Sequence, residues 1–154
     1  MKKAIKTGFS FGLTTGIITT LGLMVGMFYG THSKLVVVGA ILTIAVADAL
    51  ADSLGVHISQ ETTSKDHKNV WLATVTTFII KFLFTLTFLI PVLLFSLQTA
   101  IIVSIIYGLT LLGILSYKIG RKKPWYAVCE HVGIALVVIV ATYFVGKGIA
   151  LFLA

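Results

Sequence analysis

The sequence predicts an all-α integral membrane bundle of five transmembrane helices. Apolar residues make up 58% of the chain and charged residues only 11%, and the mean hydropathy is +1.06. Soluble proteins do not reach such values. Five apolar stretches are each close to the length of about 20 residues that a helix needs to cross a bilayer; they cover about 8–30, 35–58, 69–94, 97–117 and 125–152. Because short segments connect them, we expect one transmembrane domain over residues 1–154.

The basic residues indicate the orientation of this bundle. Lys34 and Lys147 are the only basic residues expected at one membrane face. The other face receives nine of the twelve: Lys2, Lys3, Lys6, Lys65, Lys68, Lys118, Arg121, Lys122 and Lys123. The positive-inside rule therefore predicts a cytoplasmic N-terminus and a C-terminus on the opposite side of the membrane. If the host is a prokaryote, we expect this membrane to be the cell membrane. Because most of the basic residues lie at the predicted cytoplasmic face, membrane orientation accounts for the net charge of +7. We therefore do not expect a nucleic-acid partner.

The first stretch is rich in glycine and threonine. Two runs have small-xxx-small spacing, which lets another helix approach closely; they are Gly8, Gly12 and Gly16, and Gly22, Gly26 and Gly30. The hydroxyl groups of Thr14, Thr15, Thr19 and Thr20 can form hydrogen bonds across helices or line a polar path. We therefore expect this helix to pack closely against a partner.

The second stretch contains two carboxylates in an apolar context. Asp48 and Asp52 lie four residues apart, hence on one face of a helix, with Asp48 near the middle of the bilayer. A carboxylate at that depth costs about 2.5–3.5 kcal/mol on insertion scales, so it normally faces a partner, a cavity or an ion. This pair is the leading functional hypothesis from the sequence.

The third stretch places Lys81 at a depth similar to that of Asp48. An Asp48–Lys81 pair would let both charges remain buried and would fix the helix register, and it is also a candidate for proton coupling. Pro91 lacks a backbone N–H group, so we expect a bend near the outer end of this span. The fourth stretch has no acidic residue, basic residue or histidine and is interpreted as scaffold.

Further candidate ligands lie toward the cytoplasmic side. Glu130 and His131 lie about five residues inside the fifth span, at a depth comparable to that of Asp52 and His57. Glu130 either extends toward the headgroups or forms a cation entrance with Asp52. Glu61, in the following connection, is either a solvated charge or part of a metal-capture site.

The charges within the spans permit a divalent cation. Asp48, Asp52 and Glu130 contribute three negative charges and Lys81 one positive charge, which leaves about two uncompensated. Carboxylates with imidazole suit Mn²⁺ and Fe²⁺, and the same carboxylates can carry protons instead. The predicted metal-site residues are Asp48, Asp52, His57, Glu61 and Glu130, with Asp48 and Lys81 as a proton-coupling or charge pair. The metal is then a transported ion, and no resident cofactor is expected.

Four segments together resemble the vacuolar iron transporter family. Residues 10–15, SFGLTT, are similar to the family's S-D-G-L-T-T, and residues 49–59 are similar to its A-x-S-M-x-x-G-x-Y-x-S. Pro91 matches the proline that ends span three, and residues 141–146, ATYFVG, are similar to A-x-T-Y-x-x-G, with the alanine one position closer to the threonine. The resemblance implies five helices and a homodimer with the ion path between the first and second helices at the subunit interface. It also implies proton-coupled export of Fe²⁺ or Mn²⁺ from the cytoplasm.

The chain departs from this family pattern at specific positions. The family's first-span aspartate falls on Phe11, its second-span methionine on Asp52 and its tyrosine on His57. The acidic metal-binding insert between spans two and three is absent, and residues 60–69 replace it. One hypothesis is that Asp52 takes over the carboxylate that Phe11 has lost.

Two other functions compete with metal transport. In the first, the protein is a non-transporting membrane scaffold or regulatory subunit whose Asp–Lys pair is structural. In the second, it is an intramembrane enzyme that uses a D-x-x-x-D metal site on a lipid diphosphate. Such sites usually include several arginines near the membrane interface, and Arg121 is the only arginine in this chain. We therefore do not expect an enzyme.

Overall fold

Five membrane-length helical segments account for the structure, a computed structural model that describes residues 2–63, 66–120 and 123–152. The helices are α1 (Lys2–Thr31), α2 (Lys34–Thr63), α3 (His67–Thr87), α4 (Leu89–Leu94), α5 (Leu97–Ile119) and α6 (Pro124–Phe152). Because α3 and α4 together form one apolar span, these residues form five spans of sufficient length and hydropathy to cross a membrane. The predicted all-α bundle of five spans is confirmed.

The helices extend beyond the apolar stretches that predicted them. α1 begins at Lys2 rather than near residue 8, and α2 continues to Thr63 rather than ending near residue 58. Hydropathy marks only the part of a helix that lies in hydrocarbon, whereas backbone hydrogen bonding continues into the interface. The connection between α1 and α2 is short because His32 takes a left-handed backbone conformation, with φ of 49°, directly after α1.

Helix α1 lies at the centre of the bundle and contacts α2, α3, α5 and α6. Its first glycine run faces α3: a Cβ atom on Gly12 would lie 2.7 Å from the carbonyl oxygen of Thr77. Its second run faces α6: a Cβ atom on Gly22 would lie 2.8 Å from a methyl group of Val138. The glycine run in the first half of α1 therefore packs against α3, and the run in the second half packs against α6.

The third span is broken near its outer end. Pro91 cannot donate a hydrogen bond to Thr87, four residues earlier, and its ring would crowd that carbonyl group. α3 accordingly ends at Thr87, and the N–H group of Phe88 bonds instead to the carbonyl oxygen of Thr85 at 3.2 Å. The bend predicted from the proline is therefore a break between α3 and α4.

Both lysines at the sparsely charged end of the bundle have partners. The Lys34 ammonium group lies 3.3 Å from the carbonyl oxygen of Leu93 and 3.2 Å from that of Phe95, and so caps the end of α4. The Lys147 ammonium group lies 5.6 Å from the centre of the Tyr29 ring. These cation contacts stabilise local structure, since carbonyl groups at a helix C-terminus and aromatic faces both attract positive charge.

Candidate functional site

A buried lysine and two aspartates form the central polar cluster of the bundle. The side chain of Lys81 is only 1% exposed, and its ammonium nitrogen lies 2.5 Å from Oδ2 of Asp48. The same nitrogen also pairs with Oδ2 of Asp52. Because the two aspartates are one turn apart on α2, both can reach one group on α3. Lys81 therefore pairs with both aspartates rather than with Asp48 alone.

The close packing of α1 against α3 gives Lys81 its burial. A Cβ atom on Gly16 would lie 3.3 Å from Cγ of Lys81, so the aliphatic part of the lysine passes directly over the glycine face of α1. A larger residue there would push the lysine aside. The first glycine run thus shapes the site as well as the helix contact.

A hydroxyl group from α1 adds to the cluster. The Thr19 hydroxyl lies 2.9 Å from Oδ2 of Asp48 and 2.8 Å from the carbonyl oxygen of Thr15. It has one proton, so it donates to one of these oxygens at a time. Three helices therefore contribute to the site: α1 a hydroxyl group, α2 the carboxylates and α3 the ammonium group.

The second oxygen of each carboxylate remains open. Within the described residues, neither Oδ1 of Asp48 nor Oδ1 of Asp52 accepts a hydrogen bond. The side chains of the two aspartates are 26% and 24% exposed, respectively. With all three groups ionised, the cluster carries one net negative charge. It can therefore accept a further cation or a proton.

An open cleft beside Asp48 gives access to this cluster. The cleft has a volume of about 380 Å³ and lies between α1 and α2, where Leu23, Met27, Thr43 and Ile44 also line it. Asp48 is the ionisable residue on its wall. A carboxylate is thus presented to a groove on the side of the bundle rather than sealed inside it.

The remaining predicted ligands lie elsewhere in the chain. His57 has its Nδ1 atom 3.0 Å from the Thr74 hydroxyl and its Nε2 atom 3.5 Å from Glu61, at the far end of α2. Glu130 is exposed on α6 and makes no ion pair or hydrogen bond with another described residue. No group of three or more His, Cys, Asp or Glu side chains within residues 2–63, 66–120 and 123–152 is placed to hold a metal ion. The described part of one chain therefore provides two separate pairs of candidate ligands, Asp48 with Asp52 and His57 with Glu61.

Comparison with known proteins identifies the family. A model of the VIT family matches residues 51–147, which is more than half of the chain. The chain belongs to the vacuolar iron transporter (VIT) family. Members of this family are membrane transporters of metal ions and not enzymes, so this is a multi-pass membrane protein of a metal-transport family. No curated protein and no solved structure matches the chain.

The family match includes only part of the charged cluster. Asp52, His57, Lys81 and Glu130 fall inside the matched region of this VIT protein, whereas Asp48 and the whole of α1 precede it. The similarity of α1 to the family therefore depends on its own SFGLTT segment. In the structure, the Phe11 side chain of that segment is exposed, and it carries no charge at the family's aspartate position.

Two polar roles in this VIT protein were not predicted individually. Thr19 was one of several hydroxyl groups on α1, and only the rotation of that helix selects it as the partner of Asp48. Asp66 is the N-cap of α3, where its side chain accepts a hydrogen bond from the Lys68 N–H group at 3.1 Å. A signal for the second role was present, because aspartate is preferred directly before a helix start.

Proposed function

We propose that this protein transports a divalent metal cation, Fe²⁺ or Mn²⁺, and exports it from the cytoplasm in exchange for protons. The observation that carries the proposal is that Oδ1 of Asp48 and Oδ1 of Asp52 accept no hydrogen bond from a described residue, and that Asp48 lines an open cleft. Carboxylates that only served to pair with Lys81 would not need to remain a quarter exposed.

Lys81 supplies a route to proton coupling. In the empty state its ammonium group holds the two carboxylates. A divalent cation that binds Asp48 and Asp52 repels the ammonium group and favours loss of its proton to water, because like charges at this distance are costly in a low dielectric. Two carboxylates and one M²⁺ are then neutral beside a neutral amine. When the metal leaves, Lys81 takes a proton again, so one metal ion exchanges for one proton at each site.

The donor atoms favour Fe²⁺ and Mn²⁺ over softer metals. The cluster offers carboxylate oxygens, the hydroxyl oxygen of Thr19 and the nitrogen of Lys81. Oxygen-rich sites suit Mn²⁺, and mixed oxygen and nitrogen sites suit Fe²⁺, whereas Cu⁺ prefers sulfur ligands. We assign the His57–Glu61 pair and Glu130 to the cytoplasmic mouth of the path.

A homodimer would complete this path. Helix α2 exposes an apolar stripe with a spacing of four residues, which passes beside the aspartates and consists of Leu42, Val46, Leu50, Leu54 and Ile58. We place the same stripe of a second chain against it. Two copies would then bring two aspartate pairs to one interface, and the ligand number would rise toward the six oxygens that Mn²⁺ prefers.

Reconstituted vesicles test the proposal. Purified protein in liposomes should admit Mn²⁺ to an internal fluorescent indicator, and an internal pH dye should report counter-movement of protons. Asp48→Asn and Asp52→Asn should each reduce Mn²⁺ flux at least tenfold. Thr43→Ala, which changes another wall residue of the same cleft, is the matched control and should retain flux. Flux that persists in both aspartate variants would contradict the assignment, and flux without proton movement would remove the exchange step.

The burial of Lys81 favours a second candidate, a membrane scaffold with a structural charge cluster. Its ammonium group pairs with two carboxylates, and this pairing is sufficient to explain how a charged lysine can be buried in the bundle. In this case the wild-type vesicles would show no metal flux. Metal would also leave the thermal stability of the purified protein unchanged.

A further inference from the structure

A second open cleft lies at the basic end of the bundle, where the first four turns of α1 meet the end of α5 and the start of α6. Its volume is about 600 Å³, and Lys3, Lys6, Ser10, Thr14 and His131 line it together with apolar side chains. The proposed transport mechanism does not use this cleft.

The cleft exists because α1 changes its partner along its length. The second glycine run of α1 packs on α6, with Gly22 against Val138 and Gly30 against Gly146. The first run turns toward α3 instead, with Gly8 against Thr76. α1 therefore diverges from α6 toward the basic end of the bundle, and the space between them remains open to the membrane.

The charges on the wall of this cleft have one sign. Lys3 and Lys6 are three residues apart and so lie on one face of α1. No carboxylate is among the residues that line it. Within residues 2–63, 66–120 and 123–152, the hydroxyl groups of Ser10 and Thr14 make no hydrogen bond, so both are free to donate. His131 is held in place through its Nδ1 atom, 2.8 Å from the Ser116 hydroxyl.

The rest of the wall is apolar, with Phe11 and Ile119 among the lining residues. The ammonium groups near the start of α1 suit a phosphate group, the two free hydroxyl donors deeper in the cleft suit phosphate and ester oxygens, and an apolar wall suits an acyl chain. Lys3 and Lys6 also lie in the first two turns of a membrane-spanning helix, which is the depth of lipid headgroups. A divalent cation would be repelled from the same surface.

We propose that this cleft binds the phosphate headgroup of an anionic phospholipid, with one acyl chain in the groove between α1 and α6. Lys3 and Lys6 pair with the phosphate, Ser10 donates a hydrogen bond to it, and Thr14, one turn deeper than Ser10, donates to an ester oxygen of the acyl chain. The proposal is independent of metal transport, because it involves neither aspartate nor Lys81.

Lipid binding to the purified full chain in detergent tests the proposal. Native mass spectrometry should detect one retained phosphatidylglycerol per chain, and added phosphatidylglycerol, but not phosphatidylcholine, should raise the melting temperature. Lys3→Gln with Lys6→Gln should weaken phosphatidylglycerol binding about tenfold or more, since each basic residue near an anionic lipid contributes about a fivefold factor. Ser10→Ala with Thr14→Val should weaken it without changing the charge.

A matched variant separates this site from general surface attraction. Lys2→Gln with Lys68→Gln removes the same charge from the same end of the bundle, outside the cleft, and should leave binding unchanged. Equal losses in the two lysine double variants would overturn the proposal. So would full displacement of the lipid by millimolar inorganic phosphate, which would assign the cleft to a free anion, and so would burial of the cleft against a second copy in cross-linking experiments.

Discussion

At the scale of single residues, the proposed function depends on the pairing of Lys81 with two carboxylates. Lys81 compensates one of two carboxylate charges, and each carboxylate retains one free oxygen. A cluster with one uncompensated charge in an apolar bundle is poised to bind a cation or a proton. The expected affinity of this cluster for a cation thus comes from its one uncompensated negative charge rather than from a large number of metal ligands.

The first prediction concerns the removal of this lysine. Lys81→Met should destabilise the protein by up to about 3–5 kcal/mol, because two partly buried carboxylates lose their counter-ion. Thermal unfolding in detergent measures this change. Asp48→Asn and Asp52→Asn added to Lys81→Met should restore most of the stability, since no uncompensated charge then remains.

The same variant distinguishes a metal site from a structural cluster. Millimolar Mn²⁺ should raise the melting temperature of Lys81→Met more than that of the wild-type protein, because the metal replaces the missing ammonium group. An unchanged melting temperature in Mn²⁺ would count against a metal site between the aspartates.

The second prediction concerns two serines of α5. The Ser104 hydroxyl is buried and has no hydrogen-bond partner among the described residues, whereas the Ser116 hydroxyl lies 2.8 Å from His131. Ser104→Ala should therefore be neutral or stabilising by about 1 kcal/mol, and Ser116→Ala destabilising by about the same amount. Melting temperatures in detergent provide the comparison, and a loss of stability in Ser104→Ala would show that its hydroxyl has a partner.

At the scale of helices, the two glycine runs determine how α1 meets its neighbours. One run brings α1 against α3 and the other brings it against α6. Since the hydrophobic effect provides little attraction between helices inside a bilayer, close backbone packing has a larger share in holding them together. The same packing fixes the position of Lys81, so the stability of the α1–α3 contact and the geometry of the site are coupled.

The third prediction tests this coupling. In Gly12→Ala the new methyl group would lie 2.7 Å from the carbonyl oxygen of Thr77 and 3.3 Å from the backbone nitrogen of Lys81. α1 and α3 must then separate, at a cost of about 1–3 kcal/mol, and Mn²⁺ flux should fall with stability. Gly133→Ala is the control, because nothing lies within 4 Å of its new methyl group and alanine favours a helix by about 1 kcal/mol. Equal effects of the two variants would contradict the packing argument.

At the scale of the whole molecule, charge asymmetry sets the expected orientation. The basic residues collect at the end of the bundle that holds the start of α1, and the two lysines of the opposite end are engaged with carbonyl groups and an aromatic ring. This arrangement is typical of a protein with its N-terminus in the cytoplasm.

The fourth prediction tests that orientation. Cys129 is the only cysteine, so Cys129→Ser provides a cysteine-free background. In intact cells, Thr31→Cys should react with a membrane-impermeant maleimide, whereas Thr63→Cys should react only after lysis. Both positions are exposed at helix ends. The reverse labelling pattern would invert the topology and the proposed direction of export.

The sequence by itself determined the class of the protein, the number of its spans and which buried residues carry charge. Hydropathy and the cost of placing an ion in hydrocarbon depend on the composition of one stretch at a time, so Asp48, Asp52 and Lys81 could be recognised locally. The break near Pro91 could also be predicted, because it follows from a missing N–H group within four residues.

Only the tertiary structure decided what these residues contact. Lys81 meets both aspartates, Thr19 joins Asp48, and Glu130 makes no polar contact with any residue that the structure describes. These outcomes depend on the rotation of each helix about its axis and on which helices are neighbours. Both are set by the sum of many weak packing contacts between distant parts of the chain, and no single stretch of sequence contains that information.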